Sequence, residues 1–231
     1  MKQTVKAAFL ATIPVLCGYL FVGIAFGMLL QNAGYSFLWA LLISLFVYAG
    51  SMQFVMVGFL SGGVGLLSAA ATTLAVNSRH MFYGLTFLEK FQKMGARRPY
   101  MIFSLTDETY SLLCSVKTPE GVEENLLYFS ISLMNHLYWI LGSALGALLG
   151  AVLPFDTTGI DFAMTALFTV ILTEQLLEAK SLRPALVGFA CGVGCLLLFG
   201  PDGFILPALS LAVALLMLLR PQMEMIEEGK E

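Results

Sequence analysis

Apolar residues fill this chain in long runs, broken by short polar clusters. From Ala7 to Ser78, 72 residues pass without one Asp, Glu, Lys, Arg or His. A helix crossing a bilayer needs about 20 apolar residues, so this run alone has room for three crossings. In lipid every backbone polar group must be satisfied internally, which leaves helices or a closed barrel. Unbroken runs, rather than ten-residue alternation, select helices. The predicted class is all-α: a polytopic transmembrane helix bundle of about seven spans, with room for re-entrant or interfacial helices.

The spans read as residues 9–30, 37–60, 64–88, 126–153, 162–177, 184–199 and 204–219. Gln31-Asn32-Ala33-Gly34, Ser61-Gly62-Gly63 and Pro201-Asp202-Gly203 mark turns between them. Pro14 predicts a kink in the first span. In the second, Tyr48-Ala49-Gly50-Ser51-Met52-Gln53 puts small residues beside a Gln at mid-membrane. This string suits either tight packing or a local break that exposes backbone groups. Residues 99–116 are apolar enough to enter the membrane yet carry Asp107-Glu108 at their centre. A span, a re-entrant helix and an interfacial helix all fit that segment.

Gly23/Gly27 and Gly142/Gly146 form two GxxxG faces, which permit close helix contact. They stand 119 residues apart, while Phe46 and Gln53 are answered by Phe168 and Gln175 at an offset of 122. This echo predicts a repeat inside one transmembrane domain. The first copy covers 9–88, a linker with a polar helix 89–125, the second copy 126–220, and an acidic tail 221–231. The copies are inverted if 99–116 does not cross the membrane, the plan of many secondary transporters, and parallel if it does.

Composition agrees with the pattern. The chain is 58% hydrophobic and 12% charged, with a mean hydropathy of +0.86. Soluble domains carry roughly 25% charged residues, so a soluble fold would lack the polar surface to cover itself. The expected surroundings are therefore a lipid bilayer. Net charge is −3 and no basic block suggests nucleic acid. The loop 89–98 carries Lys90, Lys93, Arg97 and Arg98, which places it in the cytoplasm. Lys2 and Lys6 then fall outside in a seven-span scheme, so the side of the N-terminus stays open. That N-terminus imitates a signal peptide but lacks a small-residue cleavage signature, and it reads as the approach to the first span. Cys17, Cys114, Cys191 and Cys195 lie mostly in apolar runs and read as packing residues. Cys191 and Cys195 are one turn apart without a nearby His or carboxylate, which makes a poor metal site. No nucleophile motif, phosphate loop or metal-spaced cluster appears, so no cofactor and no metal are expected.

Candidate chemistry begins where the uncharged run ends, at Asn77-Ser78-Arg79-His80. An ionisable residue within a membrane segment is a functional candidate by default. Arg79 either snorkels to the headgroups, with Phe82 and Tyr83 as an aromatic belt, or grips an anion such as a carboxylate bidentately. His80 is a titratable group suited to proton coupling near neutral pH. Asp107 and Glu108 are the complementary acids. Adjacent helical residues point about 100° apart, so one can meet an ammonium or a proton while the other meets Arg79. Gln53, Asn77, Asn135 and Gln175 offer neutral hydrogen-bonding groups, for a substrate or for each other across helices. His136 is a second titratable group or a packing residue near Trp139, and Ala49 and Gly50 would let backbone groups approach. An intramembrane enzyme pairing His80 with Asp107 or Glu108 is the alternative class.

The strings Tyr48-Ala49-Gly50-Ser51-Met52-Gln53-Phe54, Asn77-Ser78-Arg79-His80-Met81-Phe82-Tyr83-Gly84 and Thr106-Asp107-Glu108-Thr109 resemble those of the AzlC family. That family comprises large subunits of bacterial branched-chain amino acid exporters. The similarity runs in order over nearly the whole chain. It implies a multi-pass protein of the bacterial inner membrane. It also implies a small hydrophobic membrane partner of the AzlD type, and branched-chain or other apolar amino acids as substrates. The functional set it implies here is Gln53, Asn77, Arg79, His80, Asp107 and Glu108.

Overall fold

Two long helices dominate. The computed structural model describes residues 2–152, 169, 172–173, 176–177, 181–200 and 204–228, with the backbone alone at 79, 81, 82, 205, 206, 209 and 220–228. The predicted fifth span, with Gln175, lies almost wholly outside the described residues. The helices are α1 (Lys2–Asn32), α2 (Phe37–Phe46), α3 (Gly50–Gly62), α4 (Leu66–Thr86), α5 (Leu88–Gln92), α6 (Arg98–Phe103), α7 (Asp107–Ser115), α8 (Glu124–Val152), α9 (Arg183–Phe199) and α10 (Ile205–Glu228). No strand occurs among the described residues, as the long apolar runs predict. Among them, α1 and α8 alone are both long and apolar enough to cross a membrane as single helices. At 1.5 Å per residue each exceeds a hydrocarbon core of about 30 Å.

The chain divides into two compact units: residues 1–63 with 76–167, and residues 64–75 with 168–231. Helix α4 contributes its first ten residues to the second unit and the remainder to the first. In the second unit α9 packs on α10, with Cys191, Cys195 and Ala208 buried. Pro184 stands in the first turn of α9, where its missing N–H costs nothing. The packing role expected of the cysteines holds for Cys191 and Cys195, whereas Cys17 and Cys114 are exposed.

The first unit is built on the contact between α1 and α8. Its two GxxxG faces lie against each other. A Cβ on Gly23 would stand 3.0 Å from the Ser143 backbone nitrogen, and one on Gly142 would stand 2.8 Å from the Tyr19 carbonyl oxygen. A Cβ on Gly27 would overlap the Ser143 carbonyl, and one on Gly146 the Ile24 carbonyl. Backbone meets backbone along this seam, as small-residue interfaces in lipid allow. Helix α1 runs unbroken through Pro14.

Helix α8 inverts the pattern of a water-soluble helix. Ser132, Asn135, His136, Trp139, Ser143 and Gly146 are buried, while Leu133, Leu137, Leu141, Leu145 and Leu148 are exposed. The spacing of three and four keeps each set on one face. Polar residues point into the protein and leucines point out, the arrangement expected when the solvent is lipid. Two apolar clusters flank the polar stretch along α8. One gathers Phe87, Phe91, Met101, Leu105, Leu113, Leu127 and Ile131; the other gathers Tyr19, Phe26, Leu30, Tyr48, Phe54, Trp139 and Ala147.

The basic loop forms α5, a 3-10 turn at Gly95–Arg97 and the start of α6. Lys90 Nζ donates to Tyr128 Oη at 2.9 Å and to Glu124 Oε1 at 3.0 Å. These two partners, Tyr128 first, hold its pKa above the ordinary lysine value. Lys90 and Glu124 are half-exposed, so the pair fixes position more than it stabilises.

The seam gives a direct expectation. Gly27→Val or Gly146→Val sets a side chain against backbone and should cost about 3 kcal/mol or more. Gly58→Val, where a Cβ meets nothing within 4 Å, should cost far less. Thermal unfolding of the three variants in detergent measures the difference.

Candidate functional site

The second predicted span is interrupted, and so is the apolar segment 99–116; both breaks face α8. The second span stops at Phe46 and resumes at Gly50, so the break that the small residues there allow is present. Tyr48, rather than Gly50, adopts the left-handed conformation, with φ +43°. For a residue with a Cβ this conformation costs roughly 1–2 kcal/mol and needs outside support. The Tyr48 ring stacks on His136 with centroids 4.2 Å apart. His136 is held in turn at both nitrogens. Its Nε2 lies 3.1 Å from the Ser44 carbonyl and its Nδ1 lies 3.0 Å from Tyr100 Oη. A carbonyl only accepts, so Nε2 carries the proton and Nδ1 accepts from the tyrosine. Gly50 contributes differently: its missing side chain admits the Trp139 ring, which would stand 3.4 Å from a Cβ there.

Gln53 closes this break from within. Its Oε1 accepts the Ala49 N–H at 3.1 Å and the Trp139 Nε1–H at 2.9 Å, and its Nε2 donates to Ser44 Oγ at 3.4 Å. The residue is fully buried. Of its two predicted uses, the contacts display the interhelical one. Its carbonyl oxygen, with two donors, is filled.

The second break separates α6 from α7 at Ser104-Leu105-Thr106, all three buried. Neither piece, of 6 and 9 residues, is long enough to span the membrane alone. Thr106 caps α7: its Oγ1 accepts the Thr109 N–H at 3.3 Å. Asp107 and Glu108 therefore occupy the first turn, where the helix dipole favours negative charge. They part as adjacent helical residues should. Asp107 Oδ1 accepts from Tyr83 Oη at 2.8 Å, on α4, and Glu108 Oε2 accepts from Tyr19 Oη at 2.8 Å, on α1.

A continuous hydrogen-bonded path joins this carboxylate to α8. Tyr19 Oη lies 2.7 Å from Thr106 Oγ1, which lies 3.0 Å from Thr109 Oγ1, and Thr109 accepts Asn135 Nδ2 at 3.0 Å. Thr109 and Asn135 are fully buried. Sequence reasoning singled out Asn135, His136 and Glu108 but not Tyr19, Tyr48, Thr106 or Thr109. Thr106 and Thr109 flank the acids in the Thr-Asp-Glu-Thr string, and Tyr19 stands one turn before Gly23 on the GxxxG face. Those positions were the available signals.

Asn77, Arg79 and His80 lie on the second part of α4, which runs as one helix from Leu66 to Thr86. Arg79 thus sits on a continuous helix and not at a break; its side chain lies outside the described residues. His80 Nδ1 lies 3.2 Å from the Asn77 carbonyl oxygen, and its ring meets Tyr83 edge to face at 5.6 Å. Tyr83 links this helix to Asp107. Among the described residues no group of His, Cys, Asp and Glu is placed to hold a metal ion.

A family model described as AzlC protein matches residues 14–153. A branched-chain amino acid transport protein AzlC of Bacillus subtilis (strain 168) is 40% identical over 222 residues, 96% of this chain and 87% of that protein. An uncharacterized membrane protein of Helicobacter pylori (strain ATCC 700392 / 26695) is 46% identical over 95% of this chain and 96% of its own length. Inner membrane protein YgaZ of Escherichia coli (strain K12) is 30% identical over 79% of this chain and 78% of its own. No solved structure matches the chain.

The contacts of Gln53 predict an order of stabilities. Gln53→Leu leaves the Ala49 N–H, the Trp139 N–H and the Ser44 hydroxyl without their partner, and should cost about 3 kcal/mol or more. Trp139→Phe removes one donor from an oxygen that keeps another, and the lost hydrogen bond should cost about 1 kcal/mol. Unfolding midpoints in detergent would give the order, and equal losses would contradict it.

Proposed function

The chain belongs to the AzlC family, and from that premise we propose that it exports branched-chain and other apolar amino acids across the bacterial cytoplasmic membrane. In this reading it is a multi-pass secondary transporter that exchanges the amino acid for protons and works with a small hydrophobic AzlD-type subunit. The observation that carries the reading is the Bacillus subtilis relative, named a branched-chain amino acid transport protein and matched over 96% of this chain. The helix breaks support it in kind, since transporters set substrate sites at interrupted helices near the bilayer midplane. The relatives' descriptions name transport and membrane proteins, and none favours an intramembrane enzyme pairing His80 with Asp107 or Glu108.

In the proposed cycle Arg79 meets the substrate carboxylate, and Asp107 or Glu108 meets its ammonium. Asn77, three residues before His80 and on its side of α4, supplies a neutral hydrogen-bonding group. A proton on His80 or on one of the two acids exchanges against the amino acid. Gln53, with Ala49 and Gly50, keeps the α2–α3 break in shape, and apolar helix faces accept the aliphatic side chain. The charged groups would be costly in lipid without such a task.

Vesicles holding this chain, with and without the small partner, and loaded with labelled Leu, Val or Met, should release them when a pH gradient is imposed. Arg79→Lys should lower efflux at least tenfold, because one ammonium replaces a two-pronged guanidinium, while membrane insertion and unfolding temperature hold. Full efflux from that variant would remove Arg79 from the mechanism. Absence of efflux from the unaltered chain with its partner would remove the mechanism itself.

A further inference from the structure

Helices α1 and α8 run parallel, so their first turns lie at one end of the first unit. Thr12 Oγ1 lies 3.1 Å from Tyr138 Oη, Gly23 meets Ser143, and a Cβ on Gly150 would stand 3.3 Å from the Gln31 side chain. At the shared end Ala8 is buried with Phe91, Met94 and Leu127, which brings the start of α1 beside the basic loop 89–98. Lys90 reaches from that loop to Glu124 and Tyr128 on α8. The side of the N-terminus, open on sequence grounds, follows from this packing. It joins Lys2 and Lys6 to the loop that the positive-inside rule assigns to the cytoplasm. Residues 2–6, 87–98 and 117–124 meet at this end and hold seven basic and four acidic side chains, in a chain of net charge −3.

A groove of about 440 Å³ opens on α1 at this end, lined by Lys2, Val5, Lys6, Phe9 and Met134. Its four α1 residues recur at intervals of three and four, so they share one helix face, and all four are exposed. No acidic side chain lines the groove. Lys90 is paired with Glu124, whereas neither Lys2 nor Lys6 has a carboxylate within ion-pair distance among the described residues. The groove is graded along the helix axis. Lys2 and Lys6 precede the uncharged run that begins at Ala7, and Phe9 lies within it, about 10 Å beyond Lys2.

Two cations at the head of an apolar trough match a molecule with an anionic head and a hydrocarbon tail. A lysine ammonium brings three donors to phosphate oxygens, while its stem lies along apolar surface. A zwitterionic head would set its own ammonium against the two lysines. A small soluble anion would meet the lysines and gain nothing from Val5, Phe9 and Met134. We propose that this groove binds an anionic phospholipid of the cytoplasmic leaflet, with Lys2 and Lys6 on its phosphate and Val5, Phe9 and Met134 along the upper part of one acyl chain. Met134 belongs to α8 and the other four residues to α1, so the bound lipid rests on both helices of the glycine seam. The site has no part in the transport cycle proposed above, and its failure would leave that cycle untouched.

Native mass spectrometry of the purified full-length chain tests this, in detergent holding equal amounts of phosphatidylglycerol and phosphatidylcholine with the same acyl chains. The unaltered chain should retain phosphatidylglycerol in preference. Lys2→Gln together with Lys6→Gln should weaken that binding about 30-fold, roughly fivefold for each lysine. Val5→Trp, which keeps both charges and fills the trough, should weaken it as well. Lys93→Gln, at the same end but outside the groove, should leave it unchanged, and glycerol 3-phosphate, a headgroup without tails, should not displace the lipid. All four altered positions are exposed, so unfolding temperatures in lipid-free detergent should match that of the unaltered chain. Equal retention of the two lipids, an equal loss from Lys93→Gln, or displacement by glycerol 3-phosphate overturns the proposal. So does a Lys2/Lys6 double variant that keeps its phosphatidylglycerol but loses a second copy of the chain or the small membrane subunit, which would make the groove a protein contact.

Discussion

A helix that stops inside an apolar medium exposes backbone groups that water cannot reach, and something in the protein must meet them. That constraint organises the first unit. At 47–49 the Gln53 side chain meets the Ala49 N–H, and His136 meets the Ser44 carbonyl. At 104–106 the Thr106 hydroxyl meets the Thr109 N–H. Each repair draws on α8 or is tied to it, through Trp139, His136 or Asn135. The polar face of α8 is therefore the fixed surface against which both interruptions are shaped. It can serve as one because the glycine seam locks α8 to α1 by backbone contact, which leaves no side chain there to readjust.

Much of this was readable along the chain. GxxxG at Gly23/Gly27 and Gly142/Gly146 announced a close contact, and each motif proves to be the other's partner. The small residues beside Gln53 allowed a break, and one exists. Asn135 and His136 stood out as polar residues in an apolar helix, and both are buried at the centre of the network. What stayed hidden depends on three-dimensional company. Tyr48 takes the strained backbone position because His136, 88 residues later, holds its ring. A glycine two residues on gave no reason to expect it. Residues 99–116 read equally as a span or a surface helix because hydropathy counts apolar residues and ignores a capping threonine. Tyr19 carried no motif, and its partnership with Thr106 and Glu108 appears once α1 and α7 are side by side.

The site candidates separate into two kinds. Gln53 and His136 have their main hydrogen-bonding atoms engaged by protein groups. The Tyr48 hydroxyl and Asn135 Oδ1 are buried atoms that the network leaves without a hydrogen bond. Asp107 and the Asn77–His80 stretch are connected to it from the other side, through Tyr83 on α4. The division explains why a residue can belong to a signature string without touching a ligand: in lipid, keeping an interrupted helix intact is itself a demanding task.

The inverted face pattern of α8 also bears on how the protein is made. Its serines, asparagine and histidine are poorly suited to lipid and need cover as soon as the helix enters the bilayer. The cover comes from α1, α2, α3 and α7, all of which precede α8 in the chain and so leave the ribosome first. Gly142 emerges 119 residues after Gly23, into a membrane where its docking surface is already in place. Synthesis order thus protects the polar face of α8. Were α8 made before α1, the same sequence would have to hold those groups in hydrocarbon until their partners arrived.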